Sequence, residues 1–192
     1  MIRFSTLALV LLCALSGVGR AAEFNIATLS CTKYVNEVLA TPVGSGGPDP
    51  INTVMWLFGY SVGKSGAHVM YGEALSGFGF GLDAECKSNP SESLMDAISA
   101  VKPDAKNPMD LTLVDCATFE ARHLDMAKTD AESADTIMMW LFGFAVAKSS
   151  SHFYDSNGLR GFTTAFLADC HANPNRNLFD ELSAIKIPKP KA

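Results

Sequence analysis

Trp56-Leu57-Phe58-Gly59-Tyr60-Ser61-Val62-Gly63-Lys64-Ser65 returns 84 residues later as Trp140-Leu141-Phe142-Gly143-Phe144-Ala145-Val146-Ala147-Lys148-Ser149. Trp, Leu, Phe, Gly, Lys and Ser keep their places, while Tyr60 becomes Phe144 and Gly63 becomes Ala147. This recurrence reads as a tandem duplication, so each function proposed for one copy must be asked of the other. The second copy is apolar nearly all round from Ile137 to Ala147, which predicts a central, buried helix. Trp56 and Trp140 are its core anchors, and Gly59 and Gly143 allow a neighbouring helix to come close.

Outward from the repeat, cysteines fix the next boundary. Arg3, the apolar run from Leu7 to Leu15 and Gly19-Arg20-Ala21 form a secretory signal peptide, residues 1–21, with cleavage expected after Ala21. Removing it takes away Cys13 and leaves Cys31, Cys86, Cys116 and Cys170, an even number in an exported chain. Three pairings exist on paper. The duplication selects Cys31 with Cys86 and Cys116 with Cys170, because an ancestral single unit needed an internal partner. The expected layout is a unit over 22–102, a linker over 103–108, a second unit over 109–186 and a disordered basic tail over 187–192. A periplasmic or secreted location follows, and no further run is long enough to span a bilayer.

The fold class is all-α, with about four helices and one disulfide in each small domain. Ser30 caps a first helix from Cys31 to Leu39, matched by Asp115 before Cys116. Asp49 and Pro50 start helix two, and Thr129-Asp130-Ala131-Glu132 has the spacing of a capping box before its second copy. Gly77, Gly79 and Gly81 predict a frayed third helix in the first unit. Asn89-Pro90 and Asn173-Pro174 are expected to cap and open the last helices, whose apolar faces are Leu94, Ile98 and Val101, and Leu178, Leu182 and Ile185. No segment carries a strand pattern.

Several chemistries fall away. Gly59-Tyr60-Ser61-Val62-Gly63-Lys64-Ser65 imitates a phosphate loop but is one residue short between its glycines, and Ala147 breaks the pattern in the second copy. Gly77-Phe78-Gly79-Phe80-Gly81 follows no strand and is not kept in the second copy. Thus no nucleotide or other cofactor is expected. His68, His123, His152 and His171 stand at no zinc spacing, and no serine, cysteine or carboxylate stands in a catalytic motif. The chain is expected to be no enzyme. The formal charge of −5 becomes −7 when Arg3 and Arg20 are lost, which argues against nucleic acid.

One ionisable pair obeys the repeat. His68 and His152 each lie twelve residues after their tryptophan, near the expected end of helix two, where they are candidates for pH sensing or simply for favourable contact with a helix C-terminus. The candidate packing or client-binding surface is Trp56, Leu57, Phe58 and Tyr60 with Met138, Met139, Trp140, Leu141, Phe142 and Phe144.

Taken together, Cys31-Thr32-Lys33-Tyr34, the Trp56 to Ser65 stretch and Cys86-Lys87-Ser88-Asn89-Pro90 resemble the HdeA family of periplasmic acid-stress proteins. The second unit repeats the set. The resemblance implies a small all-α domain closed by one disulfide, and a chaperone that loosens in acid and holds unfolded periplasmic proteins as partners. Independently of it, full protonation of carboxylates and histidines takes the chain without residues 1–21 from −7 to about +17. Self-repulsion on that scale loosens packing, disulfides keep each unit compact, and Lys189 and Lys191 keep complexes soluble. The two units are further expected to pack as an internal pseudo-dimer. The competing reading is a constitutively folded envelope binding or inhibitor module that holds one partner.

Overall fold

Ser30 accepts a hydrogen bond from the Lys33 amide, Asp49 from Asn52 and Asp115 from Thr118, so three expected caps start their helices. The computed structural model describes residues 23–42, 48–70, 74–102, 109–155 and 158–187. The expected signal peptide, the 103–108 linker and tail residues 188–192 lie outside the described residues. Ile187, expected to begin the disordered tail, is partly buried against the core.

The first half contains β1 (Glu23–Asn25), α1 (Cys31–Lys33), a π-helical continuation over Tyr34–Leu39, α2 (Pro50–Ser65), β2 (Val69–Met70), α3 (Leu75–Ser88) and α4 (Leu94–Ala100). The second contains β3 (Met109–Asp110), α5 (Cys116–Thr129), α6 (Ala131–Lys148), β4 (Phe153–Asp155), α7 (Gly158–Ala172) and α8 (Leu178–Ala184). The all-α class is right, and the disulfides join Cys31 to Cys86 and Cys116 to Cys170. Each closes a loop worth about 4 kcal/mol in the chain-entropy model.

Four local expectations are corrected. The cap of α6 is Asp130, which accepts from the Ser133 amide and hydroxyl, because Thr129 is still the last residue of α5. The caps of α4 and α8 are Ser93 and Asn177, not Asn89 and Asn173. The Asn-Pro segments turn instead. Their Pro90 and Pro174 carbonyls accept the amides of Thr32 and Ala117, satisfying orphan donors at the starts of α1 and α5. The third helix of the first half does not fray: α3 runs through Gly77, Gly79 and Gly81. Packing outweighs propensity here, since Phe78, Leu82 and Cys86 on the same helix are buried.

The fourth correction concerns strands, for none was expected and two antiparallel ribbons are present. Phe24 pairs with Tyr154 in β1–β4, and Met70 pairs with Met109 in β2–β3. Strands of two or three residues are too short to leave an alternating pattern; a partner distant in the chain defines them. Both ribbons join one half to the other.

The core is continuous across both halves. Its axis is the packing of α2 on α6, where Gly59 faces the Trp140 carbonyl and Gly143 faces the Trp56 carbonyl. A Cβ at either glycine would overlap the opposing backbone. Trp56, Trp140, Phe58 and Phe144 are fully buried around that crossing. Each such side chain contributes about 1.5–3 kcal/mol of transfer free energy.

Candidate functional site

The helices α2 and α6 carry all ten residues expected to form the packing or client-binding surface. Trp56, Leu57, Phe58, Tyr60, Met138, Met139, Trp140, Leu141, Phe142 and Phe144 are all buried, none more than 3% exposed. Trp56 stacks on Tyr60 at 5.4 Å between ring centroids, and Trp140 stacks on Phe144 at 5.5 Å. These are neighbours one helical turn apart, so each helix presents an aromatic ladder. In the folded state the ladders face the interior.

His68 and His152 lie beyond the ends of α2 and α6, and each reaches across to the other half. The His152 Nδ1 stands 2.6 Å from the Tyr60 hydroxyl, and its carbonyl accepts the Ile26 amide at 3.0 Å. Burial pushes the Tyr60 hydroxyl up to about 12, so it keeps its proton beside the imidazole. His68 lies 3.7 Å from the Asp110 carboxylate, its carbonyl accepts the Leu111 amide at 2.8 Å, and its ring meets Phe179 edge-on. The Asp110 carboxyl is held below its usual range by Thr112 hydrogen bonds and, to a lesser degree, by His68. Sequence spacing found this pair of histidines, while their cross-half partners needed the ribbons.

Outside the junction, Leu39, Ile51, Val54, Leu75, Gly79 and Phe80 line an open apolar groove of about 340 Å³ between α2 and α3. Ile51 is 54% and Phe80 76% exposed. The matching groove of the second half is polar, lined by Asp135, Leu159, Arg160, Thr163 and Thr164.

A third place escaped the sequence reading. His123 on α5 is 9% exposed and its Nδ1 is buried with no hydrogen-bond partner. Burial holds this imidazole below its ordinary range, opposed in part by Asp135. It lines a cavity of about 180 Å³ with Met70, Met109, Phe119, Met126 and Ile137, and with Arg122. The i, i+3 spacing of His123 and Met126 was available in the sequence; the convergence of Met70 and Met109 was not. Among the described residues, no three His, Cys, Asp or Glu groups gather as metal ligands, and no helix is long and apolar enough to cross a membrane.

Comparison with known proteins returns no matching curated protein and no matching solved structure. The disulfides suit an oxidising compartment. The model of the HdeA/HdeB family matches residues 97–180, from the middle of α4 into α8, and lends family-level support to a periplasmic chaperone type of function in acid stress.

Proposed function

We propose that the chain is an ATP-independent, non-catalytic holding chaperone of the periplasm, similar to HdeA in its response to acid. Near neutrality its aromatic ladders are concealed between two halves that act as an internal pseudo-dimer, whose interface does not depend on concentration. In acid the halves loosen and the ladders hold unfolded clients. The observation that carries this reading is the α2–α6 crossing, an apolar surface shared by both halves and bounded in each by a disulfide.

The direction of the pH response follows from the groups around it. Asp115 and Asp130 cap helices and are held below their ordinary value of 3.8 by hydrogen bonds from Thr118 and Ser133. A carboxylate depressed in the folded state adds stability above its unfolded value, and that stability is lost as pH falls through its folded value. These caps therefore fail below about pH 4, where net positive charge is also rising.

Light scattering of a denaturing client at about pH 2.5, below the carboxylate range, tests the proposal. Suppression of aggregation at a modest molar excess is expected; its absence would end the chaperone reading. A second reading is favoured by the groove at Ile51 and Phe80, which is open in the folded state. A constitutively folded binding module would keep its near-ultraviolet circular dichroism in acid and capture a partner at neutral pH. The chaperone loses that signal as Trp56 and Trp140 leave their fixed surroundings.

A further inference from the structure

We propose that the cavity bounded by Met70, Met109, His123 and Met126 is a site for Cu(I). Two structural relations bring these ligands together. Met70 and Met109 are register partners in the β2–β3 ribbon, and His123 and Met126 lie three residues apart on one face of α5. All four line the same cavity of about 180 Å³. The chain places three of its eight methionines and one of its four histidines there.

The matching place in the other half contains none of these ligands. Phe24 and Tyr154 occupy the register positions of Met109 and Met70, with their rings stacked 4.6 Å apart. Buried Val38 stands where the second half has His123. A filling without thioether or imidazole, in which the Tyr154 hydroxyl meets the Thr53 side chain, therefore suffices for the same pairing of elements. The departures from it bring in three thioethers, one imidazole and an open volume.

The ligand chemistry selects the ion. Thioether sulfur is soft and prefers Cu(I), whereas zinc is held by thiolate, imidazole and carboxylate, and magnesium and calcium by oxygen. The buried His123 Nδ1 has no protein hydrogen-bond partner and is left to hold a metal ion. Arg122 lines the same cavity, and its charge opposes a divalent ion twice as strongly as a monovalent one. Thioethers also survive in a compartment where thiols are consumed as disulfides. The phenyl ring of Phe119 stacks on His123 at 5.6 Å and fixes its plane.

The test uses residues 22–192, the chain expected after cleavage, in which all four cysteines are joined in disulfides and no free thiol binds metal. Cu(I) is supplied anaerobically under ascorbate in competition with bicinchoninate, and Ag(I) serves as a redox-inert probe. One equivalent of Cu(I) is expected to bind, and Ag(I) should shift the ε-methyl resonances of Met70, Met109 and Met126 but not those of Met55, Met95, Met138 or Met139. The Met70→Leu/Met109→Leu/Met126→Leu variant conserves volume; near-ultraviolet circular dichroism checks its fold, and Cu(I) affinity should fall at least ~100-fold on loss of these soft ligands. Unchanged affinity in that variant overturns the proposal, as does Ag(I) moving the other methionines instead. His123→Phe should cost about tenfold while leaving the methionine shifts in place, and no loss there would remove His123 from the site.

Discussion

The two outer grooves have the same volume, about 340 Å³, and opposite chemistry. Ile51, Gly79 and Phe80 of the first half stand where the second half has Asp135, Thr163 and Thr164. At the α2–α6 crossing the halves instead remain alike, with Trp, Leu, Phe and Gly at matching positions. The contrast separates what packing dictates from what the surface is free to change. A Cβ at Gly59 or Gly143 would overlap the opposing backbone, whereas position 80 faces water. The exposed Phe80 and Ile51 therefore form an apolar patch that the second half does without.

The largest effects should fall on what the halves share. Replacing Cys31 and Cys86 by Ser, or Cys116 and Cys170, is expected to cost about 4 kcal/mol in either half by the chain-entropy model. Denaturant titration measures it, and a large inequality would show that the halves are unlike in more than their surfaces. Next, Gly59→Ala and Gly143→Ala should each cost about 3 kcal/mol, since the added methyl displaces the opposing helix. Matching losses in thermal melts support a reciprocal crossing; tolerance of either one contradicts it. The grooves come third. Ile51→Asp with Phe80→Thr should reduce apolar-dye binding at neutral pH while stability stays within about 0.5 kcal/mol. Asp135→Ile with Thr164→Phe should increase dye binding in the second half. Equal dye binding by both variants would erase the contrast. The smallest effect is the pH dependence of one cap: Asp115→Ala should lower the thermal midpoint at neutral pH, and the difference should vanish as pH falls well below 3.8.

Most of the scaffold was legible because its signals are local. Ser30, Asp49 and Asp115 each sit one residue before their helix and reach an amide three residues on. The disulfides were legible because each recurrence of the Trp stretch lies between two cysteines, Cys31 and Cys86 or Cys116 and Cys170. Where two adjacent residues can both cap, as with Thr129 and Asp130, spacing alone does not decide, and the end of α5 settled it. Asn89 and Asn173 were misplaced because an Asn-Pro turn and an Asn-Pro helix start share one signature. The ribbons and the methionine cavity depend on segments far apart in the chain and left no local mark. The groove contrast was present in the aligned copies, yet without the exposure of Phe80 nothing distinguished it from core.

The β1–β4 and β2–β3 ribbons give the molecule a reciprocal arrangement, since each half lends a strand to an edge supplied by the other. Backbone hydrogen bonds in both ribbons, together with the helix crossing, join the halves directly. Residues 23–102 and 109–187, produced as separate polypeptides and mixed after oxidation, should accordingly reassemble by fragment complementation. An assembly that survives the loss of its covalent join would be able to open at the crossing and close again without retracing its original folding.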